Sequence, residues 1–96
     1  MIKGTTKSGF VYEVEKTALD DMRIVDAMAI AMDDDADNAE RLAANSTASV
    51  LILGKAQRAR LYEHIAARCE GRVPIAEFEA ELADILNGAG RSAEKN

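Results

Sequence analysis

The sequence predicts a mainly helical (α+β) fold: an N-terminal β-hairpin followed by about four helices in a small bundle. Three observations lead there. Phe10, Tyr12 and Val14 alternate with Val11 and Glu13 just after a glycine-containing turn, which is the period of a strand with one buried face. Leu61, Tyr62, Ile65, Ala66 and Cys69 recur at three- and four-residue spacing, so they share one face of a helix. The densest apolar run, Val50-Leu51-Ile52-Leu53, is stopped by Gly54, and a charged helical pattern resumes at Lys55; an apolar helix end, a glycine stop and a second amphipathic helix make an αα-hairpin. At 96 residues the chain is one domain, read as residues 1–88, with residues 89–96 as a disordered tail.

Each element follows in order. Two short runs, residues 2–6 and 10–14, flank Lys7-Ser8-Gly9 and read as a hairpin with its aromatic side chains on the helix-facing side. Gly4 weakens the first run, and a two-stranded ribbon must dock on something to persist. Thr17 is the expected N-cap of the first helix, with Asp20 and Asp21 at the positive end of its dipole. Leu19, Met22, Val25, Ala29 and Met32 form a stripe there, and Ile24, Met28 and Ile30 widen it beyond one face. Asp33-Asp34-Asp35-Ala36-Asp37 ends this helix, because acids at a helix C-terminus oppose the dipole. The next helix is residues 38–53, with Ala39, Leu42, Ala43, Ser46, Val50 and Leu53 on one face. Asn45, Ser46, Thr47 and Ser49 lower its propensity and leave a kink or break near Asn45 open. Residues 55–69 form the third helix. Gly71-Arg72-Val73-Pro74 is an extended link, and Pro74 starts the last helix. There Ile75, Phe78, Leu82, Ile85 and Leu86 face inward, Glu77, Glu79, Glu81 and Asp84 face outward, and Gly88 is the expected C-cap.

Composition bounds the function. The apolar share of 48% suits a folded domain, and with two Phe, two Tyr and no Trp the core must be mostly aliphatic. A net charge of −5 argues against a general role on nucleic acid or anionic membranes, although Lys55, Arg58, Arg60 and Arg68 lie close together. A single cysteine, Cys69, allows no intramolecular disulfide and points to a reducing cytoplasm. The N-terminus has no apolar signal core, and no stretch approaches the ~20 apolar residues of a membrane span.

Chemistry is sparse. His64 and Cys69 stand about 140° apart on the helix by the 100° step, so they form no dyad. Cys69 falls on the apolar stripe and reads as a small buried hydrophobe; His64 reads as an exposed helix residue. Asp33, Asp35 and Asp37 imitate the start of a calcium loop, but Asn38 stands where that loop needs glycine and Ala44 where it needs a bidentate glutamate. No phosphate loop, zinc ligand set or nucleophile elbow is present, so the sequence points to a protein that is not an enzyme, with no catalytic residues, no cofactor and no metal.

Lys7-Ser8-Gly9-Phe10-Val11-Tyr12-Glu13-Val14, then residues 19–27, residues 51–64 and Gly71-Arg72-Val73-Pro74 together resemble the small tail assembly chaperones of long-tailed phages and prophages of Gram-positive bacteria. The resemblance reaches from Lys7 to Leu86, and the order of hairpin, acidic helix, Leu-Gly hairpin, link and last helix matches as well. Residues 37–49 depart from it, being less apolar than in the family. The resemblance implies a cytoplasmic protein of the bacterial host that binds the helical tape measure protein. It keeps that partner soluble and extended until tail tube subunits polymerise around it. It also implies a second form, extended at the C-terminus by ribosomal frameshifting.

A binder of exposed helical stripes needs a matching apolar surface plus charge for solubility. Leu19, Met22, Val25, Met28 and Met32 are the candidate partner-binding residues, since methionine adapts to varied surfaces. An open ribbon edge and a doubly apolar helix also predict a weak homo-oligomer. The alternative is a helix-turn-helix DNA-binding regulator of a mobile element, supported only by the Gly54 hairpin followed by Lys55, Arg58 and Arg60.

Overall fold

Strands β1 (Ile2–Thr5) and β2 (Val11–Val14) pair antiparallel with Ile2 opposite Val14 and Gly4 opposite Tyr12. They open a computed structural model that describes residues 1–94. The strand period is as expected: Phe10, Tyr12 and Val14 are buried, while Val11 and Glu13 face water. Gly4 serves the hairpin, because a side chain there would collide with the Tyr12 ring lying across it. The free edge of β2 is partly covered. The Gln57 side-chain amide donates to the Glu13 carbonyl at 2.6 Å and accepts the Glu13 N–H at 2.7 Å, as a neighbouring strand would.

After a single 3-10 turn (Lys16–Leu19), three helices follow: α1 (Met22–Ala31), α2 (Asn38–Arg68) and α3 (Ile75–Glu94). The expected count of four is therefore corrected to three. Residues 38–53 and 55–68 are the two arms of one element, broken at Gly54, whose φ of 75° and ψ of 166° lie outside the helical region. That conformation is open essentially to glycine alone. The break left open at Asn45 does not occur, since the first arm runs unbroken through it.

Other expectations are also corrected. The first α-helix starts at Met22, capped by Asp21, and not after Thr17. The first arm of α2 buries Ala44, Ala48, Ser49, Ile52 and Leu53, whereas Ala39, Leu42, Ala43 and Val50 are exposed. Small residues let α1 approach α2 closely there, a purpose that hydropathy does not register. Finally, α3 does not stop at Gly88. It continues through Ala89, which is fully buried, to Glu94; the part of the expected tail at residues 95–96 lies outside the described residues. Gly88 stays in the helix because its missing side chain makes room for the Tyr12 hydroxyl.

One core joins these elements. Leu61 and Ile65 from the second arm of α2, Leu82 and Ile85 from α3, and Val14 from β2 are all sealed from water. Each such aliphatic side chain contributes about 1.5–3 kcal/mol by leaving water. The first face predicted for α3 holds for Phe78, Leu82 and Ile85, but Ile75 is exposed. Among the described residues no helix is long and apolar enough to cross a membrane.

Candidate partner-binding face

Helix α1 is set by its ends. Asp21 is extended, and its carboxylate accepts the Arg23 N–H at 2.9 Å and the Arg23 guanidinium at 2.7 Å. These hydrogen bonds from Arg23 hold the Asp21 carboxyl below its ordinary range. At the other end the Met32 N–H returns to the Met28 carbonyl, and the Asp33 N–H to the Ile30 carbonyl.

The helix lies on α2 with Ile24 and Ala27 buried. The five predicted partner-binding residues then divide. Leu19 and Met28 are half-buried and rest against the core. Met22, Val25 and Met32 are 66%, 51% and 76% exposed. By the 100° helical step these three fall within about 80° of arc, so they form one outward apolar band about 15 Å long. Ile30 is exposed on the other flank of α1, about 140–160° around the helix from Val25 and Met32, and borders a cleft of about 490 Å³ between α1 and the first arm of α2, with Ala43 and Thr47 on the far wall.

The band sits in a strongly acidic setting. Residues 20–37 hold seven of the chain's 17 acidic side chains and one of its 12 basic ones, so the remainder of the chain is close to neutral. Besides Asp21, two of these acids have structural duties. Asp33 Oδ1 accepts the Asp35 N–H at 2.9 Å, and Asp37 Oδ1 accepts the Glu40 N–H at 2.8 Å as the cap of α2. Asp37 foremost, with Asp33 behind it, pushes the Glu40 carboxyl up, because like charges resist ionisation.

Three of the four basic residues singled out in the sequence, Arg58, Arg60 and Arg68, have structural roles, and Lys55 is exposed. Arg58 reaches back across the Gly54 break: its Nε donates to Ser49 Oγ at 2.8 Å and its terminal nitrogen to Ser46 Oγ at 2.9 Å. The guanidinium also lies over the Tyr62 ring, 4.7 Å from its centroid. Ser46 and Ser49, which looked like helix weakeners, are the sockets that hold the two arms together. Arg60 stacks over Phe10, and Arg68 pairs with Glu77 at 3.4 Å.

His64 and Glu81 are corrections. Glu81 was expected to face outward, yet it is 5% exposed. Its Oε1 accepts the Thr6 hydroxyl at 2.9 Å and the Ser8 hydroxyl at 2.8 Å. His64 was expected in solvent, yet it is half-buried with Nε2 2.9 Å from Ser8 Oγ. Since Ser8 has one proton and gives it to Glu81, the imidazole donates through Nε2. The carboxylate takes the serine proton instead of orienting the imidazole, so the trio fastens the hairpin turn to α2 and α3 and does not activate a nucleophile. The Lys7 N–H adds a bond to Asp84 at 2.7 Å. No pattern visible in the sequence joins Ser8 to Glu81; only the docked hairpin brings them together.

Compared with known proteins, the chain matches no family model, no curated protein and no solved structure.

Proposed function

We propose that this chain is a non-enzymatic tail assembly chaperone of a long-tailed phage or prophage. It works in the host cytoplasm and holds the helical tape measure protein soluble until the tail tube forms around it. The observation that carries this reading is the outward apolar band of Met22, Val25 and Met32 on α1. An exposed apolar strip rimmed by charge is the surface that an amphipathic helix lays its own stripe against. The pattern of residues 7–14, 19–27, 51–64 and 71–74 adds the family resemblance. Of the residues behind the DNA-binding alternative, Arg58 is engaged by Ser46, Ser49 and Tyr62 and Arg60 lies over Phe10, while Lys55 is exposed.

The test is co-expression with a tape measure fragment. The wild-type chain should co-purify with the fragment and keep it in the supernatant. The double variant V25E/M32E replaces two exposed side chains, so it should keep its helical circular dichroism and lose the fragment. A folded V25E/M32E that holds the fragment as well as wild type would sink the proposed surface.

A further inference from the structure

We infer that the segment docking on α1 is a basic amphipathic helix whose lysines and arginines gather at the Met32 end of the band. This rests on the reading that α1 receives a helical partner and adds the partner's charge. The ground is charge complementarity. An apolar band places neighbouring charges of the two chains within a few ångströms of each other, inside the screening length at ordinary salt. On α1 and the residues flanking it, 20–37, seven acidic side chains stand against one basic one. Asp26 lies beside the band, and Asp33, Asp34, Asp35 and Asp37 follow its C-terminal end. The carbonyl end of the helix dipole adds to the negative potential there. At the Met22 end the balance differs, because Asp21 is already paired with Arg23.

A second copy of this chain is the poorer occupant for the same reason. Two α1 bands face to face would bring two acidic fringes together, and an acidic helix would meet the same repulsion. The arrangement rewards one class of helix and rejects its own.

The probe is a short synthetic helix of leucine and lysine with amphipathic spacing. It is compared with the same peptide carrying glutamate for lysine and with a scrambled lysine peptide. Binding to the full chain is read by fluorescence anisotropy at about 0.05 M and about 0.3 M salt. The lysine helix should bind at least about tenfold tighter than the glutamate helix at low salt, and the gap should narrow at high salt. D26K/D34K, both at solvent-facing sites, should close the gap with circular dichroism unchanged, and V25E should remove binding of either helix. Equal or tighter binding of the glutamate helix overturns the charge inference and leaves the helix-binding reading standing. Scrambled peptide binding as tightly as the helix, with no loss in V25E, overturns it as mere charge adhesion. Failure of both helices, together with failure to hold the tape measure fragment, removes the helix-binding reading and this inference with it.

Discussion

Replacing Gly88 with alanine should destabilise this protein, although the same change in an ordinary helix stabilises it. Gly88 lies within α3, where alanine is favoured over glycine by about 0.8–1.0 kcal/mol. The new methyl would collide with the Tyr12 hydroxyl. The ring cannot swing clear, since Tyr12 is buried and already lies across Gly4 on the opposite strand. Overfilling a packed site costs about 1–3 kcal/mol, so the net loss in G88A is about 1 kcal/mol, or roughly 4–8 °C in melting temperature for a domain this size. Removing only the hydroxyl changes the sign. In Y12F the nearest remaining ring atom, Cζ, would stand 3.6 Å from the alanine methyl, an ordinary contact. Y12F/G88A should therefore melt above Y12F alone, by about 1 kcal/mol of recovered helix propensity. The four proteins form a double-mutant cycle with a coupling of about 1–3 kcal/mol, read by thermal denaturation with circular dichroism. Equal shifts from G88A in both backgrounds would refute the wedge.

Four further outcomes are expected. G54A should lose about 1–3 kcal/mol in urea unfolding with no clash to blame, because the space around Gly54 is open and only its backbone conformation excludes alanine. E70G should raise the urea midpoint by about 0.5–1 kcal/mol equivalent, since Glu70 sits at φ 57° just past the end of α2, where glycine carries no strain. The stabilising contribution of Asp21, whose carboxyl is lowered by Arg23, is present above the ordinary aspartate range and lost as pH falls through the lowered folded value. The gap by which D21N melts below wild type should shrink over that window, and the gap by which E40Q melts above wild type should shrink as well. Glu40 is raised, so E40Q relieves repulsion at neutral pH, and that advantage fades on acidification through the raised value.

What the sequence revealed tracks how local the cause was. Phe10, Tyr12 and Val14 read correctly because alternation is a property of neighbours. Gly54 read correctly because an apolar run ending in glycine before a charged pattern has few other meanings. Gly88 misled because a glycine near the end of a stripe usually caps a helix. Its purpose here depends on Tyr12 in the opposite part of the chain. Glu81 misled for the same reason, since its two hydroxyl partners come from the hairpin turn. The first arm of α2 was rotated in the reading because Ala44 and Ala48 carry little hydropathic contrast with Ala39 and Ala43. On α1 the breadth of the apolar pattern was legible, but only packing could divide it. Leu19 and Met28 went to the core side, and Met22, Val25 and Met32 to the outside.

The fastening of the hairpin turn to α3 also bears on the order in which the molecule assembles. The Thr6–Glu81 hydrogen bond joins residues 75 apart in the chain, whereas α1 meets α2 across a short loop and β1 meets β2 across a tight turn. Local pairings form before distant ones, because closing a long loop costs entropy that only later contacts return. The seam between hairpin and α3 is thus expected to close after the folding transition state, which φ values near zero for T6V and E81Q would show. Interactions of that kind slow unfolding while leaving the folding rate nearly unchanged. Substitutions at Thr6, Ser8, Tyr12 and Glu81 should accordingly shorten the lifetime of the folded chain while leaving the rate at which it is reached nearly unchanged.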